Sequence, residues 1–213
     1  MDEHRLIIQR TVRYHTLGDA RAARAIWFVL HGYGQLARYF LQKFEGLPSE
    51  VFIVAPEGPS RFYLDEAHSR VGATWMTRED REAEIADHVA YLDQLAELIR
   101  RQCPAGIPLN VLGFSQGVAT ATRWAMLGRN PPAKLVLWGG SFPPEYEAAP
   151  LRDRLNRTAI HLVQGEADAI VTPSVMNQST VRLRMAGLPI TEHRHRGGHV
   201  LDPLLLQRIL SAS

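Results

Sequence analysis

The sequence predicts an α/β fold, a mostly parallel central sheet with helices on both faces. Three observations lead there. Short β-branched or apolar runs alternate with longer amphipathic stretches, as when parallel strands are joined by helical crossovers. Ile26-Trp27-Phe28-Val29-Leu30 and Val51-Phe52-Ile53-Val54 are apolar at successive positions, so both of their faces must be covered. The chain has 213 residues, 46% hydrophobic and 22% charged, which suits a single globular domain over 1–213 and excludes overall disorder.

Taken in order, the first predicted strand is Leu6 to Tyr14, a wetter edge strand because Arg5, Gln9 and Arg13 punctuate it. Strands follow at Ala25 to Leu30 and Val51 to Ala55, with a helix near Gln35 to Phe44 between them. The clearest helix runs from about Arg78 to Arg101, with Ile85, Val89, Leu92 and Ile99 on one face at steps of three and four. Thr77 with Asp80 resembles a capping box; Glu79, Glu82 and Glu84 suit the positive end of the helix dipole, and Arg100 and Arg101 the negative end. Cys103-Pro104-Ala105-Gly106 ends it. Beyond lie strand Leu109 to Gly113, helix Gln116 to Leu127 and strand Leu135 to Trp138. Ser141 through Pro150 reads as loop. The chain closes with strand Thr158 to Val163, helix Pro173 to Ala186, strand Ile190 to His195 and helix Leu201 to Leu210.

Chemistry enters at the strand ends. Gly113-Phe114-Ser115-Gln116-Gly117 matches G-x-S-x-G between an apolar strand and a helix, the context a nucleophile elbow requires. A serine on that strained turn presents its hydroxyl only if the flanking backbone can approach closely, hence the glycines. The hydroxyl needs a base, and the base an orienting carboxylate. Gln164-Gly165-Glu166-Ala167-Asp168 offers the acid in a loop after a strand, with Asp168 preferred over Glu166. Arg196-Gly197-Gly198-His199 offers the base after the final strand. Ser115, Asp168 and His199 therefore follow the chain order serine, acid, histidine. In His31-Gly32-Tyr33-Gly34-Gln35 small residues free backbone N–H groups, and those of Tyr33 and Gln116 are the expected oxyanion donors. His31 reads as a structural histidine hydrogen-bonded beneath that loop.

Together with Leu112 before the elbow and Ala55-Pro56-Glu57-Gly58-Pro59, these motifs resemble the carboxylesterase and phospholipase family that includes acyl-protein thioesterases, over nearly the whole chain. The resemblance implies an α/β-hydrolase fold, a serine nucleophile and action on esters or thioesters of acyl groups. Ser115, Asp168 and His199 fall at its triad positions, and Tyr33 and Gln116 at its oxyanion donors. Two departures bear on the substrate. The family usually has His-Gly before the acid loop where this chain has Gln164-Gly165, and Trp-aromatic-Asp where this chain has Trp75-Met76-Thr77. Trp75 and Phe142 are the expected walls of the substrate pocket.

No metal or organic cofactor is expected for this chemistry. His193, His195 and His199 share a metal-like spacing, but Arg194 and Arg196 and the lack of an interleaved carboxylate argue against a dication. Arg182, Arg184, Arg194 and Arg196 could meet an anionic substrate or lipid surface, though surface arginines are usually only solvated. The formal charge of +2 is too small for a nucleic-acid binder. The longest apolar run, Ala25 to Leu30, is far below the roughly 18 to 20 residues that cross a bilayer, so no integral membrane segment is expected. The acidic start Met1-Asp2-Glu3 lacks the form of a secretory signal, and Cys103 is the only cysteine, so a reducing cytoplasm is the expected location. The expected partner is a small ester or an acylated substrate, with no helical lid over the serine; oligomeric state is open. The competing reading is a hydrolase-like binding protein without turnover.

Overall fold

The computed structural model describes residues 1–211. Seven strands form one sheet in the order β1-β3-β2-β6-β7-β8-β9. They are β1 (Tyr14–Leu17), β2 (Ala25–Leu30), β3 (Val51–Pro56), β6 (Leu109–Phe114), β7 (Lys134–Trp138), β8 (Ala159–Gly165) and β9 (Ile190–His195). Only β1 runs antiparallel, against β3; every other pair is parallel. A separate two-stranded hairpin, β4 (Ser60–Tyr63) and β5 (Val71–Thr74), lies between β3 and the first long helix.

Strand periodicity divides the core. In β2, Ile26, Phe28 and Leu30 face one side, where α2 (Arg81–Arg100), α3 (Gln116–Leu127), α4 (Ala148–Leu155) and α5 (Pro173–Met185) pack. Trp27 and Val29 face the other, with α1 (Ala37–Leu41), its following 3-10 turn (Gln42–Phe44) and α6 (Pro203–Ser211). Every residue of β2 except Ala25 is buried, as the uninterrupted apolar run requires.

The sheet order places a topological switch at β2 and β6. From β2 the chain turns to β3 on one side, and the later strands are laid down from β6 on the other. Leu30 sits beside Gly113 in that pair, so the loops leaving the carboxyl ends of β2 and β6 border one crevice.

Four elements differ from expectation. The edge strand starts at Tyr14, not Leu6, and Leu6, Ile7 and Ile8 are exposed. Its antiparallel partner ends at Pro56, opposite Tyr14, after which the chain turns away, so earlier residues have no ladder to join. Helix α2 starts at Arg81 without a capping box: Thr77 donates its N–H and hydroxyl to Glu84, while Asp80, at φ +47°, pairs with Arg5. Hairpin β4–β5 was not anticipated. Nor was α4, where Pro150 falls in the first turn, a position at which its missing N–H costs no helical bond.

Candidate active site

Ser115 joins the end of β6 to the start of α3 with φ +54° and ψ −117°, a backbone conformation that L-residues rarely hold. The flanking glycines make the turn possible. A Cβ at Gly113 would lie 2.3 Å from the Gly117 carbonyl oxygen, and one at Gly117 would lie 2.2 Å from that of Leu30. The Ser115 N–H donates to the Trp138 carbonyl at 3.0 Å, tying the turn to the end of β7.

Asp168 stands in the loop after β8 with its side chain 1% exposed. Its Oδ1 accepts the N–H groups of Ile170 and Val171 at 2.8 and 2.9 Å, and its Oδ2 lies 2.8 Å from His199 Nδ1. Burial alone would raise its pKa; the Val171 N–H, the His199 ring and the Ile170 N–H outweigh that and hold the carboxyl below the usual range. An ionised Asp168 is acceptor-only, so the His199 proton sits on Nδ1 and Nε2 is left with its lone pair. Glu166, the other acid of that loop, is exposed.

The His199 ring lies 4.9 Å from that of Phe114, the residue before the serine. Gly139 backs the pair: a Cβ there would be 3.4 Å from the His199 ring and 3.5 Å from Asp168 Oδ2. The turn at 115 and the Asp168–His199 pair thus flank Trp138–Gly139, at the carboxyl ends of four neighbouring strands.

The loop after β2 lies against the elbow, with the Cβ direction of Gly32 meeting Ser115 Cβ at 3.1 Å. Gly32 N–H donates to Gln35 Oε1, Gly34 N–H to the Ala73 carbonyl and Gln35 N–H to the Gly32 carbonyl. The Tyr33 N–H has no acceptor among the described residues, and the Gln116 N–H, first in α3, has no intrahelical one. Two unengaged donors are therefore left beside the serine. His31 supports the loop from beneath. It is fully buried, its Nε2 accepts the Gly58 N–H at 2.9 Å, and Nδ1 consequently donates to the Gly32 carbonyl at 2.8 Å. Burial lowers its pKa and keeps the ring neutral.

Several expectations need correction. Trp75 has no exposed surface; its indole donates to the His31 carbonyl at 2.9 Å and its ring packs 5.1 Å from the His31 ring. Phe142 is 4% exposed and belongs to the core, with its N–H on Ser179 Oγ and Arg182 over its ring. Neither offers a wall to a ligand in this conformation. The arginines do not form one anionic site. Arg182 donates to the carbonyls of Pro143, Pro144 and Tyr146, and Arg184 pairs with Glu192. The histidines are engaged separately. His193 stacks on His161, with ring nitrogens 2.9 Å apart, and His195 Nδ1 accepts the Gly197 N–H. No group of three or more potential metal ligands converges among the described residues.

Two positioning features were missed. The Gln116 amide accepts the Trp75 N–H and donates to the Met76 carbonyl at 3.0 Å and Thr74 Oγ1 at 2.8 Å, clamping the chain after β5 to the start of α3. Glu57, 1% exposed, takes Arg13 Nε at 2.6 Å, Arg61 Nε at 2.8 Å and the Ala37 N–H at 3.2 Å, joining the start of β1, the hairpin and α1. Nothing in one sequence marks these partners, which are brought together only by the fold.

A family model described as phospholipase/carboxylesterase matches residues 17–211. Among solved structures, esterase PE8 superposes with a TM-score of 0.72 at 20% identity, over 94% of this chain and 98% of that one. Acyl-protein thioesterase 2 of Zea mays gives 0.68 at 24%, over 93% and 96%. A carboxylesterase from Mesorhizobium loti gives 0.71 at 18%, over 95% of each. No curated protein sequence matches. At these identities the structural likeness is one of fold.

Proposed function

Because the chain belongs to the phospholipase/carboxylesterase family and has its α/β-hydrolase fold, we propose that it is a serine hydrolase cleaving carboxylic esters or thioesters through an acyl-enzyme on Ser115. The observation that carries this is the Asp168–His199 contact of 2.8 Å, formed by a buried carboxylate held below its usual range, on a ring packed against the residue preceding the serine.

The geometry supports the following steps. His199 Nε2, unprotonated because Nδ1 donates to Asp168, takes the Ser115 proton as Oγ attacks the carbonyl carbon. The developing oxyanion is met by the N–H groups of Tyr33 and Gln116, the latter at the positive end of the α3 dipole. The imidazolium then protonates the leaving alcohol or thiol. Water, deprotonated by the same nitrogen, attacks the acyl-enzyme and returns the serine. Asp168 stays ionised throughout and stabilises the imidazolium.

The test is a fluorophosphonate probe with mass mapping, run beside p-nitrophenyl esters and matched thioesters of increasing chain length. The adduct is expected on Ser115, and Ser115→Ala is expected to lose both adduct and turnover by at least about a thousandfold. A wild-type protein that binds esters yet is neither labelled nor catalytic would establish a binding protein instead.

A further inference from the structure

A cleft of about 550 Å³ opens beside the loop that follows β2, between α1 with its 3-10 turn and the tip of the β4–β5 hairpin. Apolar surface from Leu36, Leu64 and Val71 lines it together with three cations, Arg38, Lys43 and Arg70. Elsewhere some arginines, among them Arg5, Arg81, Arg129 and Arg184, pair with a carboxylate. Arg38, Lys43 and Arg70 form no ion pair within 4 Å of a described carboxylate. Asp65, at the hairpin tip, feels Arg70 but engages the N–H and hydroxyl of Ser69. The Arg38 guanidinium lies 4.4 Å above the Tyr39 ring and donates to its Oη at 2.7 Å, which holds that charge at the wall. Three like charges around one concavity, in a protein of net charge only +2, repel one another and concentrate anions there.

The cleft borders the loop that lies against the elbow. Gly34 lines it, and Gly32, whose Cβ direction meets Ser115 Cβ at 3.1 Å, is only two residues away, at most about 7 Å of chain. We infer that this cleft is a subsite for an anionic group, a carboxylate or phosphate, carried by the substrate a few bonds from the carbonyl that Ser115 attacks. The inference rests on the acyl-transfer reading and adds the substrate class: esters or thioesters with a negative charge near the scissile bond. Leu36, Leu64 and Val71 contact the linker, and the cations hold its end.

The experiment compares kcat/KM within two matched pairs. Aryl esters of free dicarboxylic acids against their methyl-capped forms put the charge on the acyl side. Acyl esters of glycol monophosphate against those of free glycol put it on the alcohol side. One pair is expected to favour its anionic member by about tenfold at low salt, with the preference shrinking toward unity at high ionic strength. R38Q/K43Q/R70Q is expected to erase that ratio. Turnover of neutral esters with no anionic preference in either pair overturns the subsite and leaves the acyl-transfer reading standing. No turnover and no fluorophosphonate adduct on Ser115 overturns both. Should the triple variant fail to fold, the salt dependence of the wild-type ratio decides alone: a ratio insensitive to salt overturns the subsite.

Discussion

At residue 168 the fold converts a carboxylate into a fixed reference for a proton. Both oxygens are committed, Oδ1 to two backbone N–H groups and Oδ2 to the imidazole, so the side chain cannot rotate without breaking three bonds. Asp168→Asn therefore has a defined outcome. If the amide oxygen keeps Ile170 and Val171, the NH₂ faces Nδ1, which must then accept, and the imidazole proton moves to Nε2. That is the wrong tautomer for a base, and kcat is expected to fall about 10⁴-fold. The thermal midpoint should change little by comparison. Rates of ester turnover and fluorophosphonate labelling within tenfold of wild type would remove Asp168 from its proposed role. Ser115, Asp168 and His199 could be singled out as candidates because each is a residue type of the serine–acid–histidine set and each follows an expected strand. Trp75 and Phe142 were misread because an aromatic side chain signals burial as readily as binding, and only the surrounding packing separates the two.

Among elements, the unexpected hairpin helps to hold the loop beside the elbow. β5 bonds Gly34 through the Ala73 carbonyl, and the chain just beyond it is held by the Gln116 amide. Gln116→Leu keeps the backbone N–H of residue 116 but leaves the Trp75 N–H and Met76 carbonyl without those partners. A loss of about 1 to 3 kcal/mol is expected. Amide hydrogen exchange should locate the loosening at 74–76; protection there equal to wild type would show that the clamp is redundant. The hairpin escaped notice because its strands are four residues long: β4 alternates between half-buried and exposed, and β5, buried at three positions, is Val-Gly-Ala-Thr, short of the continuous apolar pattern of β2 or β3. The opposite error, at Leu6 to Arg13, has a related origin. Apolar and β-branched composition measures suitability for a strand, whereas a strand also needs a partner edge, and β3 ends too soon.

Across the whole molecule, the buried Glu57 links three parts that are distant in sequence, and this gives stability a definite dependence on pH. Burial raises its pKa, but hydrogen bonds from Arg13, Arg61 and the Ala37 N–H, with the Arg13 charge, bring it below the ordinary carboxylate value. A depressed folded-state pKa means that the stabilisation is complete above the unfolded-state value and is lost as pH falls through the folded one. Wild type should therefore lose more stability than Glu57→Gln between neutral pH and about pH 3, where carboxylates with ordinary pKa values are mostly protonated. Parallel acid-titration curves for the two, measured by thermal or urea unfolding, would assign the acid sensitivity elsewhere. At this scale the parallel order was readable from the alternation of elements, and strands such as Ala25–Leu30 and Ile190–His195 coincide with their expected limits. The Glu57 junction was not, because a glutamate in a turn carries no mark of the two arginines that will meet it.

The proposed reacting groups leave β6, β8 and β9 in that order, with β9 at the sheet's outer edge. A polypeptide emerging from the ribosome would thus display an unactivated hydroxyl once residue 115 has appeared and gain an activating imidazole only after the last strand has docked. Ester cleavage would then serve as a clock for completion of the fold, dormant in every shorter fragment lacking residue 199.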